Sequence, residues 1–320
     1  MGNTEKWRDQ PVLGIATILA TVLAMSLADA IVKFASASMP LWQIYILRSL
    51  LVIPALAIFS PAAGRRQCFA AAVKGWVLLR GLLLTFMYIA IYAAAPVLSL
   101  SVLAAALYTG PLFIALFSAL LIGEPVRLRG WAGIALGFIG VLVMLRPATA
   151  GFSLVALVPV IAAAFYALAA ILTRSKCREE PPIALALALN LSLLMAGTVA
   201  MVVIAIWQPV AADIARYPFL FDYWTQMSVR DCGLIAILAT LMVAISLGLA
   251  KAYQSASPAI IATFDYAYLI FATFWGFVIF SDVPDVATVI GIVLIAAAGL
   301  LVFRGPAGGR KSRRDATIVP

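Results

Sequence analysis

Charged side chains interrupt apolar stretches long enough to cross a bilayer, and these are where chemistry is expected. The clearest case is Asp265 in AIIATFDYAYLIFATFWGFVIF, residues 259–280. An ionised carboxylate at that depth costs roughly 2.5–3.5 kcal/mol even on lenient insertion scales. A charge kept at such a cost pairs with an opposite charge or faces a wet cavity, where it holds a charged solute or carries a proton. Arg80 lies about 9 Å into its own stretch and Asp265 about 10 Å into a stretch running the same way, at 1.5 Å per residue. The two are expected to face each other, or to share one polar cavity. Arg48 and Asp29 reach comparable depths from the opposite edges, and Asp29 stands i,i+4 from Lys33, on one helix face. The competing role for all five is to neutralise one another and fix helix packing.

Uncharged candidates accompany them. Tyr108 and Tyr266 fall near mid-membrane, each with a flat ring and a hydroxyl suited to an amphipathic or aromatic solute. Tyr108-Thr109-Gly110-Pro111 should weaken its helix, because Pro111 has no N–H and crowds the preceding turn. A carbonyl near residue 107 would then be free for a solute. Asn190 and Gln254 are further candidates, with bonding to another helix as the alternative. Trp42, Tyr45, Tyr88, Tyr92 and Trp275 are read chiefly as interfacial belt or packing residues.

The chain has no histidine, the usual general base and commonest metal ligand. Its three cysteines, Cys68, Cys177 and Cys232, are far apart. No cofactor, metal site or enzymatic activity is therefore expected, and no nucleotide-binding motif is present to drive a pump.

The elements that must position these residues follow from composition. Of 320 residues, 65% are hydrophobic and 11% charged, against about 25% charged in soluble domains. The apolar runs are about twenty residues long, the length of a membrane-crossing helix. Ten spans are predicted, at about 11–34, 41–61, 74–95, 97–122, 128–146, 152–173, 183–207, 231–251, 258–280 and 284–304. The polar and aromatic segment 208–230 is expected to lie in the interface. With the N-terminus inside, sixteen of the 22 Lys and Arg fall inside, against Lys33, Arg146, Arg216 and Arg230 outside; Arg48 and Arg80 lie within spans. Both termini are thus expected in the cytoplasm and the protein in the inner membrane. The net charge of +9 is read as this topology rather than as a nucleic-acid surface, so nucleic acid is not expected as a partner.

The chain also resembles itself. At an offset of 158, Gly75 meets Gly233, Tyr108 meets Tyr266, Glu124 meets Asp282 and Arg146 meets Arg304. Lys33 meets Arg174 and Pro40 meets Pro181 at an offset of 141. An insertion within 208–230 reconciles the two offsets. Five spans is an odd number, so the halves enter from opposite sides. The fold class expected is an all-α integral membrane protein, ten transmembrane helices as two inverted five-helix repeats. The repeats are 11–147 and 152–304, flanked by an N-terminal tail (1–10) and a basic tail (305–320) that touches lipid.

The segments GPLFIALFSALLIGEPVRLRGWAGIALGFIGVLVMLRP (110–147) and FDYAYLIFATFWGFVIFSDVPDVATVIGIVLIAAAGLLVF (264–303) resemble the drug/metabolite transporter superfamily, in particular proteins with two EamA domains. The F-D-Y of span nine and I-L-R-S of span two look closer to branches carrying riboflavin or S-adenosylmethionine than to the amino-acid exporters. The resemblance implies a secondary transporter of a small organic metabolite, binding between the halves and working by alternating access. The partners implied are a small-molecule solute and membrane lipid, and a homo-oligomer is allowed; proton coupling through Asp265, exchange and facilitated diffusion are equally allowed, an arginine partner for Asp265 arguing against easy titration. The alternatives are a channel or packing scaffold, or a membrane-embedded enzyme.

Overall fold

In lipid no water satisfies the backbone, so a spanning chain must close its own hydrogen bonds, and the long apolar runs do so as helices. The computed structural model describes residues 9–36, 38–60, 64–94, 108–124, 126–145, 157–280 and 285–303. The Pro96 turn, the first half of span four with the residue-107 carbonyl, Arg146, Asp282 and the basic tail lie outside these residues.

The helices are α1 (Pro11–Ala35), α2 (Leu41–Phe59), α3 (Arg65–Ala72), α4 (Gly75–Ala94), α5 (Gly110–Leu121), α6 (Leu128–Leu145), α7 (Leu157–Ser175), α8 (Pro182–Trp207), α9 (Ala211–Arg216), α10 (Pro218–Phe221), α11 (Val229–Ser255), α12 (Pro258–Asp265), α13 (Ala267–Phe280) and α14 (Val286–Phe303). Among the described residues, seven helical segments are long and apolar enough to cross a membrane; α5 and parts of α6 and α14 add three shorter apolar ones. α1, α5, α8 and α12 each carry Pro in the first turn, where its missing N–H costs no bond and its fixed φ suits the helix. α11 starts on a capping box: Ser228 Oγ accepts from the Asp231 N–H, and the Ser228 N–H donates to Asp231 Oδ2.

Two expectations change. Span nine is not continuous: α12 ends at Asp265, and α13 starts at Ala267. In span four, α5 begins at Gly110 after a turn at Tyr108 and Thr109, and the residues before Tyr108 lie outside those described. Pro111 therefore stands in a first turn, where it starts a helix rather than kinking one. The 208–230 segment forms two short helices and extended chain instead of one flat helix.

The packing has an internal symmetry. α1 packs on α11 as α4 packs on α7; α1 packs on α13 as α5 packs on α7. α2 packs on α8, α5 on α12 and α6 on α14, each pair being its own mate. Exchanging span n with span n+5 leaves this pattern unchanged, as two repeats require. The sense is inverted. Asp9, just before α1, bonds Arg174 at the far end of α7, the counterpart of α1. The counterparts thus run in opposite directions.

Small residues allow the closest approaches. A Cβ on Gly140 of α6 would stand 2.9 Å from the backbone oxygen of Gly291 in α14. One on Gly81 of α4 would stand 3.0 Å from the Ala188 oxygen in α8. Backbone cannot swing aside as a flexible side chain can. Gly140→Val is expected to destabilise the protein by about 1–3 kcal/mol through overpacking, read as a lower melting temperature in detergent. An unchanged melting temperature would contradict this α6–α14 contact.

Candidate functional site

The polar interior is built chiefly of tyrosines around two carboxylates. Asp29, on α1, accepts hydrogen bonds from the Tyr268 hydroxyl on α13 at 2.6 Å and from Tyr92 on α4 at 3.5 Å. Tyr268 belongs to the second half, so this contact crosses between the repeats. Asp265, at the end of α12, lies beside the Tyr166 hydroxyl of α7 and within its electrostatic reach. Tyr166 in turn meets Tyr253 of α11, oxygen to oxygen at 3.4 Å. Between the acids, the Tyr108 and Tyr266 rings stack with centroids 6.2 Å apart, and Tyr108 lies 5.9 Å from Tyr268. A Cβ on Gly137 would sit 2.6 Å from the Tyr266 ring, so that glycine makes room for it.

The local sequence explains this placement. Tyr266 stands at the one-residue interruption between α12 and α13 with its backbone still right-handed helical, and Tyr108 stands just before the start of α5. Carboxylates buried among apolar helices need donors. With no histidine in the chain, tyrosine hydroxyls supply them.

The expected Asp265–Arg80 ion pair is not formed among the described residues. Arg80 Nε donates instead to Thr173 Oγ1 at 2.6 Å. The two share surroundings through an intermediary: Tyr166, beside Asp265, also lines a narrow crevice with Arg80, Leu84, Thr173 and Tyr253. Arg48 lies over the Tyr45 ring, 5.4 Å from its centroid, and within electrostatic reach of Asp29 without pairing with it. The closer donor to Asp29, Tyr268, comes from α13, which packs directly on α1.

The remaining candidates are dispersed. Asn190 is fully buried on α8 and its amide donates to the Ala186 oxygen one turn back. Gln254 is a structural tie at the end of the bundle, donating to the Cys177 and Glu180 oxygens. Lys33 is exposed near the end of α1, while the oxygens of Asp29 point to the tyrosines. Tyr45 is buried rather than interfacial, and Tyr92 is a ligand of Asp29. Sequence reasoning passed over Tyr166, Tyr253 and Tyr268. The signal available for Tyr268 was its position three residues beyond Asp265.

Both ends of the bundle are strapped. At the end where α1 begins, Arg174 binds both oxygens of Asp9 at 3.0 Å and Glu124 at 2.8 Å; Arg178 adds a second cation to Asp9. Lys74 meets Glu180, and the Gln10 N–H donates to the Ser255 oxygen. At the other end, Trp42 donates to the Leu220 oxygen, Gln43 exchanges two bonds with the Thr225 backbone, and Ser38 donates to Asp231. Partial burial works to raise the Asp9 carboxyl, but the bonds and charge of Arg174 and then Arg178 outweigh it and hold the group below its ordinary 3.8. A depressed carboxylate contributes stability above its unfolded value and loses it as pH falls through the folded one. Asp9→Asn should therefore melt below the native chain by a constant margin at neutral pH, a margin that closes only under acid conditions below 3.8. Equal melting temperatures at pH 7 would mean that the strap contributes nothing.

Comparison with known proteins fits this geometry. Residues 12–146 match the model of the EamA-like transporter family. These residues belong to that family. The EamA match covers the first repeat, and similarity to transporters extends along the whole chain. The pseudopaline exporter CntI of Pseudomonas aeruginosa is 26% identical over 300 residues, 91% of this chain and 97% of the relative. The riboflavin transporter of Vibrio cholerae is 25% identical over 316 residues, 98% and 99% of the two chains. The S-adenosylmethionine uptake transporter of Rickettsia prowazekii is 22% identical over 307 residues, 94% and 96%. A solved crystal structure shares the EamA fold seen here with a TM-score of 0.71 at 18% identity, covering 91% of this chain and 94% of the other.

Proposed function

We propose that the chain is a secondary transporter that moves a small organic metabolite across the inner membrane by alternating access between its two repeats, 11–147 and 152–304. The solute is an amino acid or a vitamin- or nucleoside-like molecule, the latter in keeping with relatives named for riboflavin and S-adenosylmethionine. Both termini face the cytoplasm, following the distribution of Lys and Arg. The observation that carries the reading is the polar cluster built jointly by the halves, with Tyr268 of one bonded to Asp29 of the other and Tyr108 stacked on Tyr266. Polar groups meet there at the repeat interface, where broken helices bind solutes in inverted-repeat transporters. Asp29, Asp265, Tyr108 and Tyr266 form the core of the site. Arg48 and Arg80 border it, Asn190 is a more distant polar group on α8, and Pro111 sets the start of α5 beside it. Asp29 and Asp265 are also the proton carriers if flux is coupled to a pH gradient.

The test is flux into vesicles containing the purified protein, with amino acids, riboflavin and S-adenosylmethionine as solutes. Saturable uptake, accelerated by the same solute on the far side, supports the reading. Flux that rises linearly with concentration and ignores the far side would make the protein a channel.

A further inference from the structure

The interior holds more positive charge than it pairs. Arg48 is 7% exposed, and its Nε and Nη2 have no acceptor among the described residues. Its guanidinium touches the Tyr45 ring, which is not a counterion. Arg80 is 1% exposed; Thr173 takes its Nε, and its Nη1 has no acceptor. Neither Asp29, which accepts from Tyr268 and Tyr92, nor Asp265 forms an ion pair with either arginine among the described residues. The ion pairs Lys74–Glu180, Arg174–Asp9, Arg174–Glu124 and Arg178–Asp9 sit at the end of the bundle where α1 begins. Tyr88, on α4, lies within electrostatic reach of both Arg48 and Arg80.

A buried guanidinium without a partner is strongly unfavourable. Arginine also presents a planar fork of donors that matches a carboxylate bidentately. We infer that Arg48 and Arg80 are receptor groups for a carboxylate on the transported solute. Carboxylate-bearing metabolites of the amino-acid type are therefore favoured over solutes that lack an oxyanion. The inference rests on the transporter reading above for the purpose of the site, but the binding it requires is measurable without transport.

The sign of the stability change separates this role from a packing role. A packing arginine destabilises the fold when removed. An arginine awaiting a carboxylate leaves the solute-free protein as stable or more stable when replaced by Met, because an uncompensated buried charge has gone. The experiment is the melting temperature of the purified full chain in detergent, with sodium acetate, sodium phosphate or sodium chloride at equal ionic strength. Native protein, Arg48→Met, Arg80→Met and Arg48→Lys are compared. The expected result is a rise of about 2–4 °C with acetate over chloride at concentrations near ten times the dissociation constant. Both Met variants lose or halve that rise and melt no lower than native protein in chloride, and Arg48→Lys keeps part of it. A larger effect of phosphate than of acetate would assign the site to inorganic or ester phosphate and overturn the carboxylate. Equal melting in all three salts, or an acetate effect retained in both Met variants, would also overturn it. Saturable flux of a solute with no oxyanion would leave the transporter reading standing and sink this inference. A carboxylate effect that depends on Arg48, without any flux, would do the reverse.

Discussion

Asp265→Asn is expected to lower solute transport by roughly ten- to hundred-fold in vesicles while the protein still folds and inserts. The carboxylate ends α12 at a helix break and faces Tyr166 within the bundle. A hydrogen bond to a charged group contributes about 1.5–3 kcal/mol, and each 1.36 kcal/mol is tenfold. The amide keeps the shape and can still accept from Tyr166, so loss of packing cannot account for the drop. Tyr166→Phe should give a smaller loss, since the acid remains and only the hydroxyl beside it has gone. The measurement is the initial rate against solute concentration for the three proteins at equal reconstitution. Native kinetics for Asp265→Asn would remove this acid from the transport path.

The second large effect concerns the contact that ties the repeats together. Tyr268→Phe removes the 2.6 Å bond to Asp29 and leaves a buried carboxylate with the long 3.5 Å contact from Tyr92. The cost in folding stability is about 1.5–3 kcal/mol. In an Asp29→Asn background the same substitution should cost well under 1 kcal/mol, because no charge remains to be stranded. The difference is a coupling energy across the repeat interface, read from a double-mutant cycle of unfolding in detergent and denaturant. Additive effects would show that the two residues do not interact in the folded protein.

Much of this architecture was legible in the sequence, because hydrophobic length is a strong signal in membranes. The starts predicted for the first two spans, 11 and 41, agree with α1 at Pro11 and α2 at Leu41. The internal repeat was carried by Tyr108 and Tyr266, and those two rings do stack. The partners of the acids were not legible. Depth along a helix fixes one coordinate of a side chain and leaves its direction around the axis open. Matched depth therefore brought Arg80 and Asp265 to a common region without pairing them, and Asp265 lies beside Tyr166. Gln254 shows the same limit: as a polar residue near the end of a span it resembled a site residue, but loop carbonyls take its amide. The break after Asp265 was hidden because α12 and α13 read as one apolar run, with no glycine or proline between them to mark the interruption.

The central claim is that residue 265 looks into a chamber reached in turn from the two sides of the membrane. It is tested most directly by placing a cysteine there. Asp265→Cys, made in a chain with Cys68, Cys177 and Cys232 replaced by serine, is exposed to a membrane-impermeant thiol reagent applied separately to each face of sealed vesicles. The account predicts modification from either face, faster from the face where α1 begins once Arg174→Gln has loosened the Asp9–Glu124 strap. A cysteine that reacts only with lipid-soluble reagents, or from one face under every condition, would contradict it.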